Sequence, residues 1–265
     1  MYATPGDTKS NLGLGGTLES CIESISAAGF DAIELNLLDP TKIDVARLLE
    51  NFKPHGLEIS ALATGLTHSA LGWSFTDRDR TIREKTVTRI QEFIKLASKL
   101  DVETVVVGRV RGRLDPTADS AQQKDWVYDC MQACAKSAEQ YGVRLAIESM
   151  SKTVTNIMNT IDETLKFLER LASPNVGILA DTWHMNSEED SIMNALVEAR
   201  SHLYHVHFAD NQRRSPGTGS IHFGEIINTL KTLKYTGYIT VECLPLPNPT
   251  FMLQKSSSYL RSLLI

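Results

Sequence analysis

The chain has 265 residues, 42% of them hydrophobic and 22% charged, with a formal net charge of -5 at pH 7. That composition supports a packed core and argues against disorder. The negative charge argues against binding that rests on neutralising the phosphates of a nucleic acid.

The length suits one eight-fold α/β barrel, roughly 250 residues, so a single domain over 1–265 is expected. Read in chain order, short apolar runs alternate with longer helical patterns. The first strand has only 2–4 available to it, ahead of the Gly-rich stretch from Gly13 to Gly16. A helix over 17–28, a strand over 32–35, a helix over 43–52 and a strand over 58–62 follow. Next come a helix over 78–100 and a strand over 104–107, then a helix over 118–140 and a strand over 144–148. Helices over 161–171, 191–199, 223–233 and 248–263 and strands over 176–181, 203–208 and 238–242 complete the pattern. Such alternation predicts parallel strands closed into a (β/α)₈ TIM barrel.

No run approaches the ~20 apolar residues of a membrane span, and the first sixteen residues lack the apolar centre of a signal peptide, so a cytoplasmic protein without a membrane partner is expected. Cys21, Cys130, Cys134 and Cys243 show no zinc or redox spacing and read as reduced packing residues.

Side chains at the C-terminal ends of barrel strands converge on one mouth, where active sites lie. Three segments share one grammar: Ala28-Gly-Phe-Asp-Ala-Ile-Glu34, Tyr141-Gly-Val-Arg-Leu-Ala-Ile-Glu148 and Thr236-Gly-Tyr-Ile-Thr-Val-Glu242. Each ends a helix on Gly and a strand on glutamate. Asp181 ends another strand, and Gly108 and Arg109 follow the strand over 104–107. His205 and His207 share one parity, so both can face the barrel interior, and His207 lies nearer the mouth. An unpaired carboxylate is costly to bury, and several acids converging with an imidazole form a set suited to Mn²⁺, Mg²⁺, Co²⁺ or Zn²⁺.

Leu145-Ala-Ile-Glu148, Leu179-Ala-Asp-Thr-Trp-His-Met-Asn186, His205-Val-His-Phe-Ala-Asp-Asn-Gln-Arg213 and Gly237-Tyr-Ile-Thr-Val-Glu-Cys243 resemble the sugar phosphate isomerase/epimerase superfamily of xylose isomerase-like barrels. Within it the sequence is most similar to ketose 3-epimerases of the tagatose/psicose type. The resemblance implies one divalent metal held by Glu148, Asp181, His207 and Glu242. It implies that Glu148 and Glu242 are the catalytic acid/base pair and that His184 and Arg213 hold substrate oxygens. A homodimer or homotetramer acting on a small sugar is also implied.

The pattern is broken at Val154, where members of this branch commonly carry a second glutamate supporting the substrate histidine. This departure keeps a metal-dependent hydrolase or lyase acting on a sugar derivative as the alternative. An endonuclease IV-like reading suffers from scarce histidines and from the acidic charge.

Glu34, His68 and Arg109 are further candidates for substrate binding, each set against a structural role. Arg109, Arg111 and Arg113 either bind a substrate carboxylate or phosphate or pair with surface acids. Trp73 and Phe75 either face a sugar or pack as a lid on the barrel.

Overall fold

The computed structural model describes residues 1–6 and 12–264. Among these, nine parallel strands form one curled sheet: β1 Tyr2–Pro5, β2 Leu14–Gly16, β3 Ala32–Asn36, β4 Glu58–Ala63, β5 Thr104–Val107, β6 Arg144–Glu148, β7 Val176–Asp181, β8 Leu203–Phe208 and β9 Ile239–Val241. Their order is β2-β1-β3-β4-β5-β6-β7-β8-β9, and every neighbouring pair is parallel. Gly13 N–H donates to Cys243 O at 2.8 Å, linking the chain beside one edge strand to the chain after the other.

The helices are α1 Leu18–Ala27, α2 Val45–Phe52, α3 Gly65–Ser69, α4 Arg80–Lys99, α5 Ser120–Tyr141, α6 Ile161–Leu171, α7 Thr182–Glu188, α8 Ile192–Ala199, α9 Phe223–Thr232 and α10 Pro249–Leu264. Asp44, Asp79, Asp119 and Thr160 each accept a backbone N–H of the first turn that follows. These caps satisfy donors that a helix start leaves open, which sets where α2, α4, α5 and α6 begin. No helix among the described residues is long and apolar enough to cross a membrane.

Three features depart from the sequence expectation. The strand β2 lies in a Gly-rich run without apolar alternation, and α3 and α7 are too short to show a helical period. All four cysteines are free and buried.

Strand parity sorts the sheet into two faces. Ile33, Leu35, Leu62, Val105, Val107 and Ile147 belong to the large apolar core between sheet and helices. The opposite parity carries a small inner cluster of Tyr2, Ala61, Ala63, Val106, Ala146 and Leu179. Continued toward the C-terminal ends, that inner parity reaches Asn36, Gly108, Glu148, Asp181, His207 and Glu242. Small alanines below leave room for Glu34 and His205, whose side chains are fully buried beneath the mouth.

Candidate active site

Glu148 closes β6, Asp181 closes β7, His207 lies one residue from the end of β8, and Glu242 follows β9. Pairing of Asp181 with His207, and the Glu242 N–H bond to Phe208 O at 3.1 Å, fix these strand ends side by side. One potential ligand atom from each of the four residues lies within 4.8 Å of the others, and all four residues are buried.

Each member is oriented by a different device. Asp181 caps α7: its Oδ1 accepts from Trp183 N–H at 2.8 Å and His184 N–H at 3.3 Å, leaving Oδ2 for the site. His207 is set through Nε2, 2.9 Å from Glu34 Oε2, which also lies 2.8 Å from His205 Nε2. An ionised carboxylate only accepts, so both imidazoles donate to it through Nε2. Burial alone would raise the Glu34 pKa, but the charges and hydrogen bonds of His207 and His205 hold it well below the usual carboxylate range. The Nδ1 of His207 is buried without a hydrogen-bond partner, 3.5 Å from Glu242 Oε2 and 3.9 Å from Asp181 Oδ2.

Gly108 makes room for Glu148, because a Cβ at this position would stand 2.7 Å from Glu148 Oε2. Burial, with the negative charges of Glu242 and Asp181 beside it, pushes the Glu148 carboxyl up to about 8. The same crowding of acids attracts Arg213, whose Nη1 donates to Asp181 Oδ2 at 2.6 Å and to Glu242 Oε2 at 2.9 Å.

Arg213 sits in a strained loop. It and Gln212 are both left-handed, at φ +57°. Asp210, fully buried, fixes that loop: Oδ2 accepts from the N–H groups of Gly217, Thr218 and Gly219 at 3.0, 3.1 and 2.8 Å. Its Oδ1 accepts from Asn211 and Ile221 N–H at 2.9 and 3.2 Å.

His184 is buried beside Arg213, and burial followed by nearby cationic charge lowers its pKa to about 3, so the ring is neutral. Ser151 N–H donates to Nδ1 at 3.0 Å, while Arg213 Nη2 lies 2.9 Å from Nε2. Both neighbours are donors, yet a neutral imidazole has one acceptor nitrogen. A substrate oxygen between Nε2–H and the guanidinium would satisfy both. Val154 makes no such contact; the backbone of Ser151 does the work that the resemblance assigns to a glutamate there.

These groups border a cavity of about 320 Å³, whose wall includes Glu148, His184, His207, Arg213, Glu242 and Val154. Arg109 also lines it, whereas Glu34 does not: Glu34 lies beneath His207 as its hydrogen-bond partner. His68 lines an adjoining hollow with Arg109, and its Nδ1 donates to Trp73 O at 3.3 Å. Phe75 is fully buried in the core, and Trp73 lies beneath the Arg89 guanidinium, so neither faces the cavity. Arg111 is also fully buried and donates to main-chain carbonyls.

Sequence reasoning passed over Tyr2, Asn36 and Trp183, all of which line the cavity. Asn36 Oδ1 is buried there without a partner, an acceptor for a ligand hydroxyl. Asn36 was within reach of the parity argument, being two residues beyond Glu34 on the same strand. Asp210 carried no comparable signal, because its partners lie up to eleven residues downstream in an irregular loop.

A family model described as xylose isomerase-like TIM barrel matches residues 22–263. An L-ribulose 3-epimerase of Methylomonas sp. (strain DH-1) is 30% identical over 229 residues, covering 83% of this chain and 76% of that protein. A ketose 3-epimerase of Arthrobacter globiformis is 28% identical over 223 residues, covering 83% and 75%. The crystal structure of a D-allulose 3-epimerase from Methylomonas sp. in complex with D-allulose superposes with a TM-score of 0.82 at 24% identity, covering 98% of this chain and 96% of that one.

Proposed function

The chain belongs to the xylose isomerase-like TIM barrel family, and from that footing we propose that it is a divalent-metal-dependent epimerase or isomerase of a ketose or related sugar derivative. The observation that carries the proposal is the meeting of Glu148, Glu242 and His207 at the wall of one cavity, beside His184 and Arg213, with the buried Asp181 carboxylate within reach of all three. Curated relatives named as epimerases favour this reading over hydrolysis or a lyase reaction.

The residues fit a metal ion. Three buried acids crowd one space in which the Arg213 guanidinium reaches only Asp181 and Glu242, and the Nδ1 of His207, buried without a hydrogen-bond partner, faces the same space. Oxygen donors with one imidazole suit Mn²⁺, our first choice, and also Mg²⁺, Co²⁺ or Zn²⁺. A divalent ion held by Glu148, Asp181, His207 and Glu242 would supply Lewis-acid polarisation of a substrate carbonyl and its neighbouring hydroxyl.

The chain's own groups then perform the proton transfers. One of Glu148 and Glu242 takes the proton from the carbon beside the carbonyl, and the other returns a proton to the opposite face, inverting the centre. Return of the proton to the adjacent carbon by one carboxylate gives aldose/ketose isomerisation instead. His184 Nε2–H and Arg213 stabilise the oxygen on which negative charge develops. Tyr2 and Trp183 place aromatic surface in the cavity wall, limiting water around the developing carbanion.

The test is product analysis. Metal-loaded protein incubated with a panel of ketoses, inososes and sugar acids should convert one class to its epimer or isomer, and chelation should stop it. Cleavage products in place of epimers or isomers would refute the proposal.

A further inference from the structure

Beside the acid cluster lies a second hollow of about 260 Å³, lined by His68, Arg109, Arg113, Thr153, Val154 and Thr155 along with the backbone of Gly112. It shares Arg109 and Val154 with the main cavity, so the two spaces have a common wall. The polarity changes across that wall. Carboxylates gather on one side, and on the other two guanidinium groups face a lining with no acidic residue.

The run Gly108-Arg-Val-Arg-Gly-Arg-Leu114 builds this arrangement. Its middle arginine turns inward: Arg111 is fully buried and donates to Gly108 O at 3.3 Å and Met158 O at 3.2 Å. Gly112 is left-handed at φ +87°, and a Cβ there would meet Thr76 Oγ1 at 2.0 Å. Thr155 Oγ1 donates to Gly112 O at 2.8 Å, and Arg113 N–H donates to Thr76 Oγ1 at 3.2 Å. The turn is therefore pinned from both sides, with Arg109 and Arg113 left at the hollow.

Neither arginine has an acidic partner among the described residues. Arg113 Nη1 donates to a main-chain carbonyl, Lys152 O, at 3.2 Å, and Arg109 forms no ion pair. Burial, with the charge of Arg109 nearby, holds His68 below the usual imidazole range. Two solvent-exposed cations on a concave wall, carried by a pinned turn and uncompensated by protein carboxylates, make a receptor for an anion. Val154 contributes to this by leaving the shared wall uncharged, where a glutamate would compete for the same guanidinium groups.

We propose that this hollow is an anion subsite of the active site, and that the substrate is a sugar derivative bearing a carboxylate or phosphate, received by Arg109 and Arg113 while its carbonyl end lies at the acid cluster. The proposal rests on the epimerase/isomerase reading only for which end of the ligand reacts.

The experiment measures binding of three probes to the metal-loaded protein by calorimetry: D-fructose, D-fructose 6-phosphate and 5-keto-D-gluconate. At low salt at least one anionic probe should bind on the order of tenfold more tightly than D-fructose, and rising ionic strength should narrow the gap. Whether phosphate or carboxylate leads identifies the preferred group. The advantage should collapse in an Arg109→Ala/Arg113→Ala variant and, independently, in Val154→Glu, which leaves both arginines in place. Equal binding of all three probes, or an advantage that survives in the folded variants, would overturn the subsite; if the double variant fails to fold, Val154→Glu decides. Solvent deuterium exchange on the same probes reports separately on the reaction. An anion advantage without exchange keeps the subsite and counts against the chemistry, whereas exchange without an advantage does the reverse.

Discussion

Glu34 Oε2 lies 2.9 Å from Nε2 of His207, on the far side of the imidazole from the acid cluster, so that Nδ1 is the nitrogen presented to Asp181 and Glu242. The contact selects the tautomer that a metal needs. Replacing Glu34 by Gln would substitute a donor group for one carboxylate oxygen and remove the charge facing both histidines. We expect Glu34→Gln to weaken metal affinity by roughly 10- to 100-fold, as losses of such partners do elsewhere. Competition with a chromophoric chelator measures this, and unchanged affinity in a folded variant would separate Glu34 from the site.

The contribution of Glu148 to the stability of the metal-free protein should fall as pH rises from about 5 to 8. The Glu148 carboxyl moves from an ordinary value of 4.5 to about 8 in the folded state, so in this window the folded chain holds a proton that the unfolded chain has released. Stability contributed by a raised pKa is complete below the unfolded value and disappears through the folded one. Thermal melts across pH should show this as a stability difference between the parent and Glu148→Gln that shifts in favour of the variant as pH rises through the window; a difference that is flat with pH would contradict the raised value. Metal should bind more tightly toward pH 8, with proton release visible as a buffer-dependent heat.

Gly108→Ala should separate fold from activity. The added Cβ would stand 2.7 Å from Glu148 Oε2, so the carboxylate must swing away while the backbone stays put. Displacements near 1 Å can cost on the order of 100-fold in rate. The variant should melt within a few degrees of the parent and lose at least tenfold in turnover; full activity would show that Glu148 has slack.

Asp210→Ala strips the acceptor from five backbone N–H groups in the loop that carries Arg213. Each hydrogen bond to a buried charge contributes ~2 kcal/mol, and the loss of even one moves Tm by roughly 4–8 °C in a domain of this size, so the variant should melt at least that much lower. A lower Tm together with a raised KM is expected, measured by calorimetry and steady-state kinetics. An unchanged KM would mean that Arg213 holds its position without the loop.

The strands were legible because a parallel barrel buries both faces of its sheet, which leaves near-continuous apolar runs such as Thr104–Val107 and Val176–Asp181. The four-residue acid and imidazole set could be named because each member stands at a strand end, where polarity breaks the apolar run. What escaped depends on angles and partners rather than pattern. Glu34 reads identically to Glu148 and Glu242 in its local sequence, yet it pairs with His205 and His207 below the cavity floor. Likewise, α7 begins at Thr182 because Asp181 serves both as helix cap and as a site carboxylate, a double use that sequence spacing does not reveal.

The most direct measurement of the central claim is deuterium incorporation from D₂O into substrate by metal-reconstituted protein, read by NMR, with Glu148→Gln and Glu242→Gln alongside. The account predicts metal-dependent exchange at the carbon beside the carbonyl, lost or reduced by at least 100-fold in each variant although both still fold. Exchange that persists in both variants would contradict the assignment of proton transfer to Glu148 and Glu242.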